Sequence, residues 1–347
     1  MKALEKKNIS YSDADELIAA DLPPTVFLVD GILTQGLGGL SAKSKLGKSW
    51  LALQLSVDLA LGDKFLGFST KKCGVLYIDL ENTKSLTQER LRAVLDGREP
   101  PEHGNLIFAH DFNLMGEGFE EDLTDFLDKH KNVKFVVVDV FQKVKRGKQP
   151  NQTDYEADYE ILTKLKKIAD QYDICIFLIY HDRKFVDPTD PHSNVLGSTA
   201  IMGVSDFLWV LYKEKRSDSE ATLAISGRTL IDSSYKLKRN GVKWENLGNA
   251  AALEEFRKRQ AYDRDPVVNT IRHLIHQGKG KWKGRVKEII TSSQYFKGCR
   301  IYGTSQKVGS RIKELEKQLE EYDNIHHTTI SNGNAGVLHV FESGNPF

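Results

Sequence analysis

Three apolar runs, each ending in a charged or polar residue, stand out in the first 250 residues. They cover residues 74–79, 133–139 and 174–181. A strand that is buried on both faces is apolar along its whole length, as in the parallel sheets of α/β proteins. Amphipathic stretches at 119–129 and 158–171 separate the runs and predict helices. The pattern therefore predicts an α/β fold with a mostly parallel sheet.

A sequence typical of a phosphate-binding loop lies between a short apolar run at 37–41 and a helical stretch. The candidate nucleotide-binding residues are Ala42, Lys43, Ser44, Lys45, Leu46, Gly47, Lys48, Ser49 and Trp50. In such a loop, backbone N–H groups cradle a polyphosphate, the lysine contacts the β- and γ-phosphates and the serine hydroxyl ligates Mg²⁺. The alternative is a basic turn before a helix. The order of strand, loop and helix favours a site for ATP and Mg²⁺.

Polar residues at the ends of the three apolar runs are candidates for catalysis. Glu81 follows the first run and can orient and activate the water that attacks the γ-phosphate. Asp139 ends the second run in a Walker B pattern and is a candidate ligand of Mg²⁺, usually through water. His181 ends the third run and can donate a hydrogen bond to phosphate. The alternatives are a capping or surface acid for Glu81 and a strand-end cap for His181.

The character of the chain changes after residue 248. Residues 249–264 are charged and rich in alanine, which predicts a helical linker. Residues 265–347 predict three helices followed by two strands around a turn-rich segment at 331–336. Three helices and a hairpin describe a small α+β winged-helix domain. We therefore expect a core at 1–248, with its entry segment, and a second domain at 265–347.

Basic residues are concentrated in one stretch of the second domain. The whole protein has a net charge of only +1, yet residues 272–313 hold eleven Lys and Arg against one acid, Glu288. The candidate DNA-binding residues in this stretch are Ser305, Gln306, Lys307 and Arg311, at the start of the third predicted helix, together with Lys283 and Arg285. Such residue types reach phosphates and base edges in a major groove. A winged helix used for protein contacts is the alternative.

The cysteine content and the lack of long apolar runs indicate in which compartment the protein works. The chain has 347 residues and three cysteines, Cys73, Cys175 and Cys299, an odd number without metal-binding spacing. A reduced cytoplasmic protein is the plain expectation. The N-terminus lacks an apolar signal core, and no apolar run reaches membrane-spanning length, so no membrane partner is expected.

Several segments, taken in order, resemble the RecA-like ATPases of plasmids and phages that are related to the RepA hexameric replicative helicases. They are residues 43–53, 77–81, 136–139, 180–184, 197–200 with Asp206, and 227–228. The resemblance covers roughly residues 20–248. It implies a RecA-like P-loop core, ATP hydrolysis between subunits, and a ring that is often a hexamer.

The resemblance also implies roles for individual residues. By position, Lys48 and Ser49 match the ligands of phosphate and Mg²⁺, Glu81 the catalytic carboxylate, Asp139 the Walker B acid, His181 a γ-phosphate sensor and Arg228 an arginine donated to the neighbour's nucleotide. The chain departs from the family at Ala42, Ser44 and Tyr180, where relatives commonly have Gly, Pro and the first His of a His-His pair.

These features favour a DNA-dependent ATPase of mobile-element replication, with helicase activity. The ring would hold single-stranded DNA, and the winged helix would bind duplex DNA. One alternative is a replication initiator or transcription regulator in which ATP switches assembly without movement. A recombination mediator of the RadA kind is a third possibility.

Overall fold

The computed structural model describes residues 11–22, 24–147, 151–182, 200–215, 217–297, 299–331 and 336–344, with only the backbone of 181 and 182. The chain divides into two compact units, Met1–Ala250 and Ala251–Phe347. Each unit has its own hydrophobic core.

A nine-stranded sheet forms the centre of the first unit. Its strands are β3 (Gly36–Lys43), β4 (Gly74–Asp79), β5 (Leu106–Ala109), β6 (Val133–Asp139), β7 (Cys175–Asp182), β8 (Phe207–Tyr212), β9 (Glu220–Gly227), β10 (Ser233–Asn240) and β11 (Lys243–Asn249). They follow the order β11-β10-β9-β8-β3-β7-β6-β4-β5. The six strands from β8 to β5 in this order are parallel, and β9, β10 and β11 are antiparallel. The predicted α/β fold with a mostly parallel sheet is confirmed.

Strand β3 lies between β7 and β8, and its glycines allow this close approach. A Cβ atom on Gly39 would lie 2.0 Å from the carbonyl oxygen of Leu178 in β7. One on Gly38 would lie 2.4 Å from the carbonyl oxygen of Phe207 in β8. No real side chain tolerates such distances, so both positions require glycine.

Helices cover both faces of the sheet. They are α2 (Lys48–Leu61), α3 (Lys84–Leu95), α4 (Phe119–Lys129), α5 (Phe141–Val144), α6 (Asp154–Tyr172) and α7 (Ala200–Val204). An exposed helix, α1 (Ala14–Ala19), and a two-stranded sheet, β1 (Phe27–Val29) and β2 (Leu33–Thr34), precede β3. Helix α2 belongs to the hydrophobic cluster on one face, and α4 and α6 belong to the cluster on the other. Helices on both faces explain why the central strands are apolar throughout.

Local signals explain the helix bounds. Helix α4 and strands β4 and β6 have the bounds that the apolar pattern predicts. Helix α6 begins four residues before its predicted start, because Thr153 caps it and Glu156 completes a capping box. None of the helices among the described residues is long and apolar enough to cross a membrane.

The second unit combines helices with a small antiparallel sheet. Its elements are α8 (Ala250–Asp263), α9 (Pro266–Gln277), β12 (Lys281–Gly284), α10 (Val286–Ser292), a 3₁₀ turn (Ser293–Tyr295), α11 (Ser305–Asp323), β13 (Ile325–Ser331) and β14 (Val337–Ser343). The sheet order is β12-β14-β13. Strand β12 was not predicted. The segment 249–264, predicted to be a helical linker, forms the helix α8, in which Tyr262 is buried and donates a hydrogen bond to Asp323 (2.7 Å). Residues 332–335 of the predicted turn lie outside the described residues.

Candidate active site and comparisons with known proteins

The predicted phosphate loop follows β3 directly. Ala42 and Lys43 are the last residues of the strand, and the helix α2 begins at Lys48. Gly47 and Lys45 have positive φ angles of 101° and 64°. This turn leads into a helix whose first N–H groups receive no cap from a side chain. Uncapped N–H groups at a helix N-terminus are an anion-binding site, so the loop has the geometry that its sequence predicts.

Two carboxylates meet at the edge of the sheet where this loop lies. Asp79 and Asp139 end the neighbouring parallel strands β4 and β6 and are paired in register. Asp139 is 1% exposed, and its Oδ2 accepts a hydrogen bond of 2.7 Å from the hydroxyl of Tyr77. Burial raises the pKa of Asp139, while hydrogen bonding with Tyr77 and Ser49 lowers it. Ser49 and Asp139 therefore lie close together although they are far apart in sequence.

The arrangement of Ser49 and Asp139 fits the requirements of Mg²⁺. Oδ1 of Asp139 is buried and has no hydrogen-bond partner at normal distance among the described residues. Mg²⁺ is held by one or two protein oxygens together with water and phosphate oxygens. No cluster of three or more His, Cys, Asp or Glu in the described residues could hold a metal by itself. Asp139 and Ser49 are thus suited to a metal ion that arrives with a nucleotide.

Asp79 is a site residue that sequence reasoning missed. It is 3% exposed, and its carboxylate accepts hydrogen bonds from the Asn82 backbone N–H (3.2 Å), the Asn82 amide (2.9 Å) and the Thr87 hydroxyl (2.6 Å). These bonds join the end of β4 to the first turn of α3. Glu81 lies between the bonded residues, so Asp79 sets the path of the backbone that carries Glu81.

Glu81 is exposed at this edge and lies near the other two acids. The negative charges of Asp79 and Glu81 both raise the pKa of Asp139. A bound cation would offset this unfavourable effect of the two charges on Asp139. The negative charge of the site is therefore suited to a divalent cation, and Glu81 is the carboxylate that could accept a proton.

A hairpin from the far end of the first unit returns to the phosphate loop. The indole N–H of Trp244, in β11, donates to the carbonyl oxygen of Gly47 (3.1 Å). The backbone of Trp244 also exchanges two hydrogen bonds with the side chain of Gln54 in α2 (2.8 and 3.1 Å). The sequence contains no short-range signal for this contact, which spans 197 residues.

The same hairpin brings positive charge to the loop. The guanidinium of Arg239, in β10, lies 5.7 Å from the ring centroid of Trp50, and that of Arg90, in α3, lies 5.3 Å from it. A Cβ atom on Gly47 would lie 3.0 Å from a guanidinium nitrogen of Arg239. Trp50 thus lies within cation–π distance of two arginines directly beside the phosphate loop. Neither arginine was among the predicted site residues.

The predicted sensor is described only in part. The backbone of His181 pairs with Ala42 at the end of β3, which brings it to the same edge of the sheet as the loop. Its side chain lies outside the described residues. Arg183, Lys184 and residues 197–199, which carry part of the family resemblance, also lie outside them.

Arg228 lies at the opposite edge of the sheet. Strand β9 is antiparallel to β8, so its end at Gly227 pairs with Phe207 at the start of β8. The Arg228 guanidinium donates to the carbonyl oxygen of Gly203 (2.8 Å), and its backbone N–H donates to that of Asp206 (2.8 Å). The structure therefore does not bring Arg228 to the phosphate loop of its own chain, and its role towards another subunit stays a prediction.

In the second unit, the residues predicted to bind DNA differ in their surroundings. Ser305, Gln306 and Lys307 are exposed in the first turn of α11, which Thr304 caps. Lys283 and Arg285 are exposed at the end of β12 and at the residue before α10. Arg311, in contrast, forms ion pairs with Asp265 (2.9 Å) and Glu314 (2.8 Å). Its charge is compensated within the unit, which makes it the weakest of the six candidates.

Comparisons with known proteins agree with this geometry. A family model described as an AAA domain matches residues 5–185. Among solved structures, one described as an ATPase domain is similar, with a TM-score of 0.51 and 14% identity over 67% of this chain and 95% of that chain. A DnaB-like replicative helicase, solved in a study of its interactions with primase, is similar with the same score and identity.

The helicase alignment covers 67% of this chain and 66% of the helicase. At 14% identity these likenesses establish the fold alone, and they confirm the predicted RecA-like P-loop core. No curated protein matches the chain significantly. Because the family model spans more than half of the sequence, the protein belongs to the AAA domain family.

Proposed function

We propose that this chain is an ATP-hydrolysing DNA motor of the RepA type that works as a ring-forming helicase in phage or plasmid replication. The observation that carries the proposal is the meeting of Ser49, Asp139 and Glu81 at one edge of a parallel sheet, beside an uncapped helix N-terminus. This arrangement provides separate groups for phosphate, for a metal ion and for proton transfer. Phosphoryl transfer requires little more, because positioning and charge stabilisation account for most of its catalysis.

Each residue has a distinct task in this proposal. Lys48 and the backbone N–H groups of the loop bind the phosphates. Ser49 and Asp139 would hold Mg²⁺, which neutralises charge on the phosphate oxygens. Glu81 accepts the proton of the attacking water, and its exposed position leaves room for that water. His181, from the neighbouring strand end, would report the loss of the γ-phosphate.

Assembly into a ring would complete the site. Arg228 points away from its own phosphate loop, at the opposite sheet edge. We propose that it acts on the nucleotide of a second copy, where a positive charge stabilises the charge that develops during hydrolysis. The solved ATPase domain and the DnaB-like replicative helicase share the fold of the first unit, which supports a motor over a small-molecule kinase. We propose a hexamer with single-stranded DNA in its channel.

The second unit would then be a winged helix that binds duplex DNA. Its supporting features are the exposed first turn of α11 and the exposed cations Lys283, Arg285 and Lys307 around it. Cations on one surface bind DNA phosphates and release condensed counterions. We give Arg311 a structural role, because Asp265 and Glu314 already neutralise it.

The test measures ATP binding, turnover and strand separation in the same preparations. We expect single-stranded DNA to stimulate turnover and a forked substrate to be unwound only with ATP. Glu81→Gln should bind ATP normally and lose turnover, whereas Lys48→Ala should lose ATP affinity. The matched control is Glu102→Gln, because Glu102 is an exposed glutamate paired with Lys72 (3.0 Å) outside the site.

Two outcomes would contradict the proposal in different ways. Wild-type turnover in Glu81→Gln would remove Glu81 from the role of base. ATP turnover without any unwinding would instead support the alternative of an ATP-switched initiator or regulator.

A further inference from the structure

The segment that joins α10 to α11 exposes two tyrosines. Tyr295 is 82% exposed and Tyr302 is 79% exposed, and both lie in this one short segment. A single exposed aromatic residue is common, but two large, almost fully exposed rings so close in sequence are unusual. The pair therefore calls for a functional explanation.

The backbone of this segment is well anchored. The Ser293 hydroxyl donates to the carbonyl oxygen of Ile290 (2.7 Å) and accepts from the backbone N–H of Ile301 (3.1 Å). Cys299 and Ile301 are buried, and the ring of Phe296 stacks on that of His273 with centroids 4.5 Å apart. These contacts hold the described parts of the segment on either side of residue 298, and each part carries one of the two tyrosines.

One exposed ring lies against a cation, and the segment that carries both rings is basic. The Arg300 guanidinium lies 5.2 Å from the ring centroid of Tyr302. Lys297 and Lys307 are exposed in the same region of sequence, and residues 293–307 contain no acid. Aromatic rings among cations, without acids, suit a polyanion that also carries flat rings.

We propose that Tyr295, Tyr302, Lys297 and Arg300 form a surface that stacks on the unpaired bases of single-stranded DNA while its cations bind the adjacent phosphates. The inference rests on the proposed function, because it assumes that the second unit binds DNA. It adds that the unit distinguishes unpaired bases from a closed duplex, as at a fork or an opened origin.

Stacking chemistry explains this preference. Every base has an aromatic face that can stack on tyrosine, but a continuous duplex hides those faces between neighbouring pairs. Arginine beside a tyrosine adds a cation–π contribution and a phosphate contact. A protein partner would use tyrosines too, but an interface core is depleted in lysine. The charge therefore favours nucleic acid.

The experiment uses the full chain without nucleotide. Fluorescence anisotropy compares an oligo-dT strand, a blunt duplex and the same duplex with a short single-stranded tail. The variants are the doubles Tyr295→Ala with Tyr302→Ala and Tyr295→Phe with Tyr302→Phe. Tyr11→Ala is the matched control, because Tyr11 is 89% exposed in the first unit. Photocrosslinking with 5-iodouracil in the strand locates the contact.

We expect the alanine double variant to bind the single strand and the tailed duplex at least about fivefold more weakly, since stacking on one aromatic residue contributes at least that factor. Binding of the blunt duplex should change less. The phenylalanine double variant and the control should bind like wild type, and crosslinks should map to Tyr295 or Tyr302.

Three results would overturn the inference, and they can be told apart. Unchanged single-strand binding by the alanine variant, with crosslinks elsewhere, would leave the tyrosines to a protein contact. An equal loss on blunt duplex would show a groove contact without base stacking. In both cases DNA-stimulated ATP turnover would leave the proposed function intact. A wild-type protein that binds no DNA would instead refute the proposed function itself.

Discussion

Replacing Asp79 with alanine tests whether the turn after β4 positions the catalytic carboxylate. Asp79 is almost fully buried and joins Asn82 and Thr87 through four hydrogen bonds of 2.6, 2.9, 3.1 and 3.2 Å. The change would release the turn that carries Glu81. It would leave the phosphate loop and Asp139 in place.

The expected loss of stability follows from these bonds. A hydrogen bond to a charged group contributes about 1.5–3 kcal/mol. The Thr87 hydroxyl can turn to the carbonyl oxygen of Thr83, 3.2 Å away, and removing Asp79 relieves its repulsion of Asp139. The net cost is therefore about 2–3 kcal/mol, which lowers the melting temperature by roughly 4–12 °C in a unit of this size.

The expected loss of activity is a separate effect from the loss of stability. A displacement of a catalytic group by about 1 Å can cost about 100-fold in rate. We expect Asp79→Ala to bind ATP with near-normal affinity and to turn it over about 100-fold more slowly. Turnover and affinity should be measured at about 15 °C, well below the expected melting temperature, with folding checked by circular dichroism.

Thr87→Val is the matched control. It removes one donor to Asp79 but keeps the carboxylate and the three bonds from Asn82. We expect it to lose about 1.5 kcal/mol of stability, the lower end for a bond to a charged group, and to keep most of its turnover. The reasoning is refuted if folded Asp79→Ala hydrolyses ATP at the wild-type rate, because Glu81 would then need no support from this turn.

Three further predictions concern the neighbour, DNA and pH. Arg228→Ala should bind ATP but not hydrolyse it. Mixing it with Lys48→Ala should restore some turnover, because the second variant still has Arg228 and the first still has an intact nucleotide site. No recovery in a confirmed assembly would argue against action of Arg228 on a neighbouring subunit. Lys307→Ala should lower duplex affinity and reduce the log–log salt slope by about one, and an unchanged slope would exclude a phosphate contact. Burial raises the pKa of the Asp58 carboxyl to about 6, and the Arg98 guanidinium, 2.8 Å from that carboxylate, opposes this rise. Because the folded state binds the proton of Asp58 more tightly than the unfolded state does, this group favours the folded state at low pH, and the contribution is lost as pH rises from about 4 to 6. Arg98→Ala should therefore lower the melting temperature more at about pH 8 than at about pH 4, and an equal drop at both would rule out this linkage.

Elements that depend on local rules could be predicted from the amino-acid sequence. The strands β4 and β6 are apolar throughout because they are buried on both faces, so their bounds could be predicted to the residue. The phosphate loop could be predicted because Gly47 and the residues after it meet the backbone and charge requirements of a polyphosphate without help from distant residues. The basic character of residues 272–313 is also a property of sequence alone.

Strands whose formation depends on their neighbours could not be predicted. Apolar and polar residues do not alternate regularly in strands β10 and β11, and Leu237 and Trp244 are the only buried residues of these two strands. They form because β9 offers a paired edge and because Trp244 packs against the phosphate loop. Their pattern therefore carried no signal of a strand.

Which side chains meet depends on the tertiary fold. The order of strands places Asp79 beside Asp139 and Asp139 beside Ser49, and it turns Arg228 away from them because β9 runs antiparallel to β8. Strand order and direction arise from packing between segments that are far apart in sequence. A local sequence pattern can specify where a strand ends, but the order of strands in the whole sheet determines which residues lie beside that end.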